Sequence, residues 1–418
     1  MPASLEPLDM AGIQIPYYFR CPISLELMRD PVTVCTGQTY DRESIESWVA
    51  TGNTTCPVTR APLKEFSLIP NHTLRRLIQD WCVANRAFGV ERIPTPKQPA
   101  EPGLVQSLLG QALSGSGNLK SRISALRRLR GLARDSDNNR AVISANNAPE
   151  VLLAIVFSNM DVSSSELTHE ALCILSMFQL SEAESLFVAS DPDRVRFLVS
   201  MLSHASIDVR VNSAAVIESV LSGTKSPELR SQIGNVNEIF TGIVGIINSP
   251  PAHPRALKVG IKALFSLCLA KQHREKAITA GATEALINSF QYLEKYDAER
   301  ALATVELLCR IPSGSAAFSA STLTVPILVK IILKISERAT EYAAGALLSL
   351  CSTSDQALRD AVDAGVLTQL LLLVQSGCTE RAKRKAQTLL KLLRDCWPLR
   401  DNVSANNSDD FVYCNVVV

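Results

Sequence analysis

Residues 15–88 read IPYYFRCPISLELMRDPVTVCTGQTYDRESIESWVATGNTTCPVTRAPLKEFSLIPNHTLRRLIQDWCVANRAF, and this stretch decides the fold of the amino-terminal part of the chain. Two loops carry most of the information. The first is Cys21-Pro22-Ile23-Ser24-Leu25-Glu26-Leu27-Met28 followed by Asp30-Pro31-Val32; the second is Cys56-Pro57-Val58-Thr59-Arg60. Between them Val32-Thr33-Val34, Thr36-Gly37-Gln38 and Thr39-Tyr40 spell a hairpin. A short helix is expected next, with Asp41 as N-cap, Ile45, Trp48 and Val49 on one face, and Gly52-Asn53 as its end. A second helix is expected after Pro70, capped by Asn71, with Leu74, Leu77, Ile78 and Trp81 as its apolar face.

The order loop, hairpin, helix, loop resembles a RING finger, so zinc is the first test. Two tetrahedral zinc sites need about eight Cys or His ligands in chelating pairs. The candidates here are Cys21, Cys35, Cys56, His72 and Cys82, with no Cys-x-x-Cys pair. The sequence therefore implies no metal and no cofactor, and polar side chains must pin the loops instead. The available ones are Ser24, Glu26, Asp30, Asp41, Arg42 and Asn71.

CPISLELMRDPV, GQTYDR, CPVTRAPL and IPNHTLRRLI, together and in this order, make the segment similar to the U-box, a zinc-free RING-like α+β fold held by hydrogen bonds and ion pairs. The resemblance implies recruitment of a ubiquitin-conjugating enzyme. It places Ile23, Leu25 and Pro57 in the apolar contact with that enzyme and Trp48 where many RING domains put a contacting Trp. It gives Arg60 the catalytic role of hydrogen-bonding across conjugating enzyme and ubiquitin. The alternative readings make Trp48 and Leu25 core residues and Arg60 a residue serving only the local fold, and the contact readings are preferred. Ile23 and Leu25 share one side of an extended loop, with Ser24 turned the other way. Such a small patch suits weak, transient association, burying about 1,200 Å² or less. Catalysis would be positional, with ubiquitin held in one reactive pose and no covalent ubiquitin–ligase intermediate.

The chain has 418 residues, room for two or three domains. A formal net charge of +1 argues against a dedicated nucleic-acid binder, and 5% aromatic content fits a Leu/Ala-built helical protein. The 11 cysteines show no framework spacing, and the N-terminus lacks a secretory pattern. No apolar run reaches membrane-spanning length. Cys414 lies fifth from the end, one place off a prenylation box. The expected location is the cytoplasm, with the nucleus as a further compartment.

Residues 1–14 read as a flexible leader. After the segment at 15–88, Pro94, Pro96, Pro99 and Pro102 mark residues 89–103 as an extended spacer. From 104 to 397 the pattern is helical and repetitive. An Ala with a Leu-rich stripe returns at Ala125, Ala171, Ala215, Ala263, Ala303 and Ala346 and near Thr388, about every 40–48 residues. Ala280-Gly281 and Ala364-Gly365 repeat before apolar helices, with ISANNAPEV as a degenerate version, fitting a tight turn at positive φ. This period signals an all-α armadillo or HEAT solenoid of about six or seven units, and the Ala-Gly turn favours armadillo. The pattern is poorest around residues 222–255, where Pro250-Pro251 and Pro254 mark a loop. Basic residues cluster in the first repeat (Lys120 to Arg134) and the last (Arg381 to Arg394), as a solvated face or as a site for an acidic partner. Residues 398–418 form a polar, then apolar tail.

A U-box followed by armadillo repeats is similar to the plant U-box/armadillo ubiquitin ligases. That resemblance implies an E3 ubiquitin transferase whose partners are a conjugating enzyme, ubiquitin and a protein substrate on the armadillo surface. It further implies work in plant stress or defence signalling and self-association through the U-box. The competing readings are a scaffold with an inactive U-box and a thioester-forming ligase. The repeat cysteines Cys173, Cys268, Cys309 and Cys351 sit in Leu-rich stretches and read as core, against the latter.

Overall fold

The computed structural model describes residues 15–85, 100–114, 118–158, 160, 165–249 and 253–395. The leader, residues 89–99 of the spacer and the 398–418 tail lie outside them. The chain divides into two compact units, Met1–Pro99 and Ala100–Val418.

In the first unit, strands β1 (Pro31–Thr33) and β2 (Thr39–Asp41) form the expected hairpin, and helix α1 (Arg42–Ala50) follows directly. A third strand, β3 (Ile69–Pro70), then leads into α2 (His72–Ala84). The antiparallel sheet runs β2-β1-β3, with Val32 opposite both Tyr40 and Pro70. Gly37 turns the hairpin at φ 81°, a conformation glycine adopts without a Cβ penalty. Val32, Tyr40, Ile45, Ile78 and Cys82 are completely buried and form the core.

Helix α2 differs from its expected orientation. Arg75, Ile78 and Cys82, spaced i, i+3, i+7, are its buried residues, while Leu77 is exposed. The helix is rolled so that a charged side chain faces inward. Leu74 and Trp81 flank that face, packed against the core from its edge.

The second unit opens with the helix pair α3 (Pro102–Leu113) and α4 (Leu119–Asp135). Six trios follow. They are α5 (Asp137–Ala145), α6 (Ala148–Phe157) and α7 (Glu166–Leu175); α8 (Glu182–Ala189), α9 (Pro192–Met201) and α10 (Ile207–Gly223); and α11 (Pro227–Asn235), α12 (Ile239–Ile247) and α13 (Pro254–Cys268). Then come α14 (Arg274–Thr279), α15 (Ala282–Ser289) and α16 (Lys295–Cys309); α17 (Pro312–Ser319), α18 (Thr324–Ile331) and α19 (Glu337–Cys351); and α20 (Asp355–Asp363), α21 (Val366–Gln375) and α22 (Glu380–Asp395). Pro102, read above as spacer, stands in the first turn of α3, where its missing N–H costs nothing. Pro254 likewise opens α13, so a full trio occupies the region of weakest repeat pattern.

The third helices α4, α7, α10, α13, α16, α19 and α22 pack in succession. Ala125, Ala171, Ala263, Ala303 and Ala346 are buried where they meet, allowing close approach; at Ala215 it is the preceding Ala214 that is fully buried. Gly281 (φ 86°) and Gly365 (φ 78°) stand immediately before α15 and α21, as the turn required. Asn147 (φ 57°) and Glu238 (φ 65°) hold the same place before α6 and α12, which is why those repeats look degenerate in sequence.

Polar ties cross between the third helices. Arg130 of α4 pairs with Glu170 of α7 at 2.8 Å, and Lys262 of α13 with Glu218 of α10 at 2.6 Å. One ion pair skips a repeat: buried Glu306 of α16 accepts from Lys385 of α22 at 2.8 Å. It passes over Gly345 of α19, where any Cβ would collide with the Glu306 carboxylate.

Candidate functional site

The two Cys-Pro loops have one architecture. In the first, Cys21 N–H donates to the Glu26 carbonyl and Leu25 N–H to the Cys21 carbonyl, both at 2.8 Å. In the second, Cys56 N–H donates to Ala61 and Arg60 N–H to Cys56, again at 2.8 Å. An isolated bridge closes each, Arg20 with Leu27 and Thr55 with Pro62. The fifth residue of each loop has left-handed backbone, Leu25 at φ 60° and Arg60 at φ 57°. For non-glycine residues this costs about 1–2 kcal/mol. Both loops nevertheless place a large side chain there, and both side chains are exposed.

Each loop closes around its cysteine sulfur. Cys21 Sγ accepts from the Asp41 N–H at 3.3 Å. Burial raises its thiol, but N–H groups of Ser24, Asp41 and Ile23 and the Ser44 hydroxyl outweigh that and lower it. Cys56 Sγ accepts from Tyr40 Oη at 2.9 Å and Thr36 Oγ1 at 3.3 Å. Burial again pushes upward, and the Thr36, Thr59 and Tyr40 hydroxyls hold the thiol down to about 6. Tyr40 is correspondingly raised, by burial first and then by its bond to Cys56. Its oxygen accepts from Val58 N–H at 3.2 Å, so its own proton goes to sulfur. The two loops thus hang from neighbouring residues of β2, Tyr40 and Asp41. The sulfurs are occupied by N–H and O–H donors, and among the described residues no cluster of three His, Cys, Asp or Glu could hold a metal.

This geometry gives a pH dependence. The folded Cys56 thiol lies below the ordinary cysteine value of about 8.5. The stabilisation it supplies is complete above that value and is lost as pH falls through about 6. Hydrogen-exchange protection of β2 and the second loop is expected to rise from pH 6 to about 8.5, and Cys56→Ser should flatten the rise. A profile identical in the variant would assign the dependence to another group.

Asp30 anchors the first loop. Its Oδ2 accepts from Arg42 Nε at 2.7 Å, and its Oδ1 pairs with Arg75, a residue 7% exposed whose basicity burial lowers. One carboxylate therefore ties α1 and α2 to the loop. The Asp41 carboxylate does not cap α1 as expected; its Oδ1 accepts from the N–H groups of Arg29 (2.9 Å) and Asp30 (2.7 Å). Asn71 caps α2 through Leu74 N–H at 3.0 Å, and its own N–H reaches the Pro31 carbonyl at 2.8 Å. Four of the six expected network residues, Asp30, Asp41, Arg42 and Asn71, therefore bind the unit together. Ser24 and Glu26 do not: both are exposed, and the Ser24 hydroxyl reaches only its neighbour Glu26 N–H at 3.4 Å. Residues outside that set, Arg75, Tyr40 and the two sulfurs, complete the network.

Of the expected contact residues, Leu25 is 70% exposed, and Ile23 and Pro57 are half-buried. Trp48 is half-buried, lies against the core and donates Nε1–H to the Thr55 carbonyl at 2.9 Å, fastening α1 to the second loop. The Arg60 guanidinium extends into solvent and makes no ion pair among the described residues. Val58 was missed. It is exposed, and it occupies in the second loop the place of Ile23 in the first. The signal was the internal repetition of Cys-Pro, a β-branched apolar residue, then Ser or Thr.

The family pattern described as "U-box domain" matches residues 15–87, and that described as "Plant U-box protein ARM repeat region" matches residues 105–412. The chain is 60% identical to "U-box domain-containing protein 25" of Arabidopsis thaliana over the whole of both chains. It is 34% identical to "E3 ubiquitin-protein ligase PUB23" of the same plant, covering 92% of this chain and 94% of that one. Among solved structures, one from the study "A conserved phosphorylation switch controls the interaction between cadherin and beta-catenin in vitro and in vivo" superposes with a TM-score of 0.56. It covers 77% of this chain and 58% of that one at 14% identity, a likeness of fold alone.

Proposed function

This chain belongs to the plant family that joins a U-box to armadillo repeats, and on that premise we propose that it is an E3 ubiquitin-protein ligase. Ile23, Leu25 and Pro57, joined by Val58, dock a charged conjugating enzyme. Trp48 braces the second loop beneath that contact. Arg60 holds the linked ubiquitin in a reactive pose, so that an acceptor lysine attacks the thioester directly. No ubiquitin–ligase intermediate forms; the rate gain is one of orientation. The armadillo repeats hold the protein substrate. We place this activity in the cytoplasm or nucleus of a plant cell, in stress or defence signalling.

The observation that carries the reading is the paired loops. Each holds strained backbone to project its fifth side chain, one a leucine and the other an arginine with no ion pair among the described residues. A residue kept for the local fold alone would be better served there by Gly or Asn.

The test exploits that strain. Arg60→Gly keeps the loop conformation and removes the guanidinium. With activating enzyme, a panel of conjugating enzymes and ubiquitin, the parent chain should ubiquitinate itself, with and without a chelator. The variant should melt no lower and bind conjugating enzyme as well, yet discharge ubiquitin about tenfold or more slowly. A variant that melts early and discharges normally at low temperature would make Arg60 structural.

A further inference from the structure

Between the ends of α4 and α7 and the inner sides of α10 and α13 lies a recess of about 790 Å³. Its charged lining is Arg134, Arg140, Arg255, Lys258, Lys262 and Glu218. Two of the cations are neutralised, Arg140 by Asp137 and Lys262 by Glu218. Three are not paired in this way. Arg134 and Lys258 are exposed and make no ion pair among the described residues. Arg255 feels Asp208, but its two terminal nitrogens go to neutral acceptors, Asn212 Oδ1 at 2.7 Å and Ser176 Oγ at 2.8 Å. A chain of net charge +1 thus concentrates positive charge in one concave place. A recess whose uncompensated charge is of one sign focuses its field on whatever enters.

The floor is mixed. Met177, Phe178 and Val259 supply apolar surface, and Gln179 supplies a neutral polar side chain. The three cations outside those pairs come from α4 (Arg134) and α13 (Arg255 and Lys258), and Arg134 is near enough to act on Arg255. Positive charge from two helices beside apolar side chains suits carboxylates carried along a chain with apolar neighbours better than one bare anion. We infer that this recess is the capture site for an extended acidic protein segment, with Asp or Glu side chains alternating with apolar ones. The inference rests on the reading that the repeats hold the substrate, and it names the class of segment they take.

The test uses the full chain and a fluorescein-labelled peptide of alternating Glu and small apolar residues, followed by anisotropy. The peptide should bind, and rising salt should weaken it. The Gln and Lys counterparts should not bind. The double variant R134E/K258E should weaken binding about tenfold or more, with an unchanged melting curve as the control for folding. K330E, a single charge reversal on α18, should leave binding as it was. Gln peptide binding as tightly as Glu, or no effect of R134E/K258E, would overturn the inference. Binding of a phosphoserine peptide but not the Glu peptide would also overturn it. A second readout separates the two proposals: the Glu peptide, fused to a lysine-bearing reporter, should be ubiquitinated by the parent chain. If the peptide binds and the fused reporter is not modified, the recess stands and the substrate-holding reading fails.

Discussion

Ile23→Ala should reduce discharge of charged conjugating enzyme by about tenfold to a hundredfold. The estimate follows from truncating an anchor at a small interface, about 1–3 kcal/mol, at about 1.4 kcal/mol per tenfold. The side chain is half-buried and lies against the core of the first unit, so some of its surface belongs to the fold. The loop's backbone bonds do not pass through it, and Cys21, Leu25 and Glu26 would keep their closure. The loss should therefore appear mainly as a higher concentration of conjugating enzyme at half-maximal rate, recoverable by adding more of it. Titration of the enzyme against a fixed amount of the variant measures this directly. A rate that stays low at saturating enzyme, with the fold intact, would remove Ile23 from the contact and place its effect in the chemical step.

Asp30→Ala should unfold the first unit or lower its melting temperature sharply. The substitution leaves Arg75, 7% exposed, without its counter-charge and leaves Arg42 only its ion pair with Glu46. Breaking one side of a buried ion pair typically costs about 3–5 kcal/mol. Asp30 keeps some access to water, with 22% of its side chain exposed, so the lower end applies. The same reasoning makes a second expectation. Asp30→Leu combined with Arg75→Met removes both charges and should recover much of the loss, since an apolar pair of similar volume is often neutral or better. Urea unfolding followed by Trp fluorescence would compare the three chains. A single variant as stable as the parent would show that the carboxylate is dispensable.

The hairpin, α1 and the solenoid period were legible because each rests on a local rule: turn chemistry at Gly37, a helical apolar stripe at Ile45, Trp48 and Val49, left-handed turns at Gly281 and Gly365. Arg75 was not legible. An arginine beside leucines on a helix is ordinarily read as facing water, and only the inward carboxylate of Asp30, forty-five positions earlier, turns it the other way. Leu77 was misplaced for the same reason, as the helix rolled to bring Arg75 inward. Asp41 looked like a cap because it stands where caps stand, yet two loop N–H groups held a stronger claim on its carboxylate. Glu26 shows the reverse error, a charged residue in a decisive motif that simply faces solvent. Strand β3 escaped notice because it is two residues long and contains a proline.

Glu306 and Lys385 join turns of the superhelix that are not adjacent, spanning the intervening one through the gap left by Gly345. Solenoids ordinarily come apart by adjacent pieces, each stability a sum of its own and its neighbours' terms. A strut that reaches past the next bay breaks that additivity. The last three trios of this superhelix should open and close as one block, so that the last turn resists fraying alone and damage to any of the three loosens all of them.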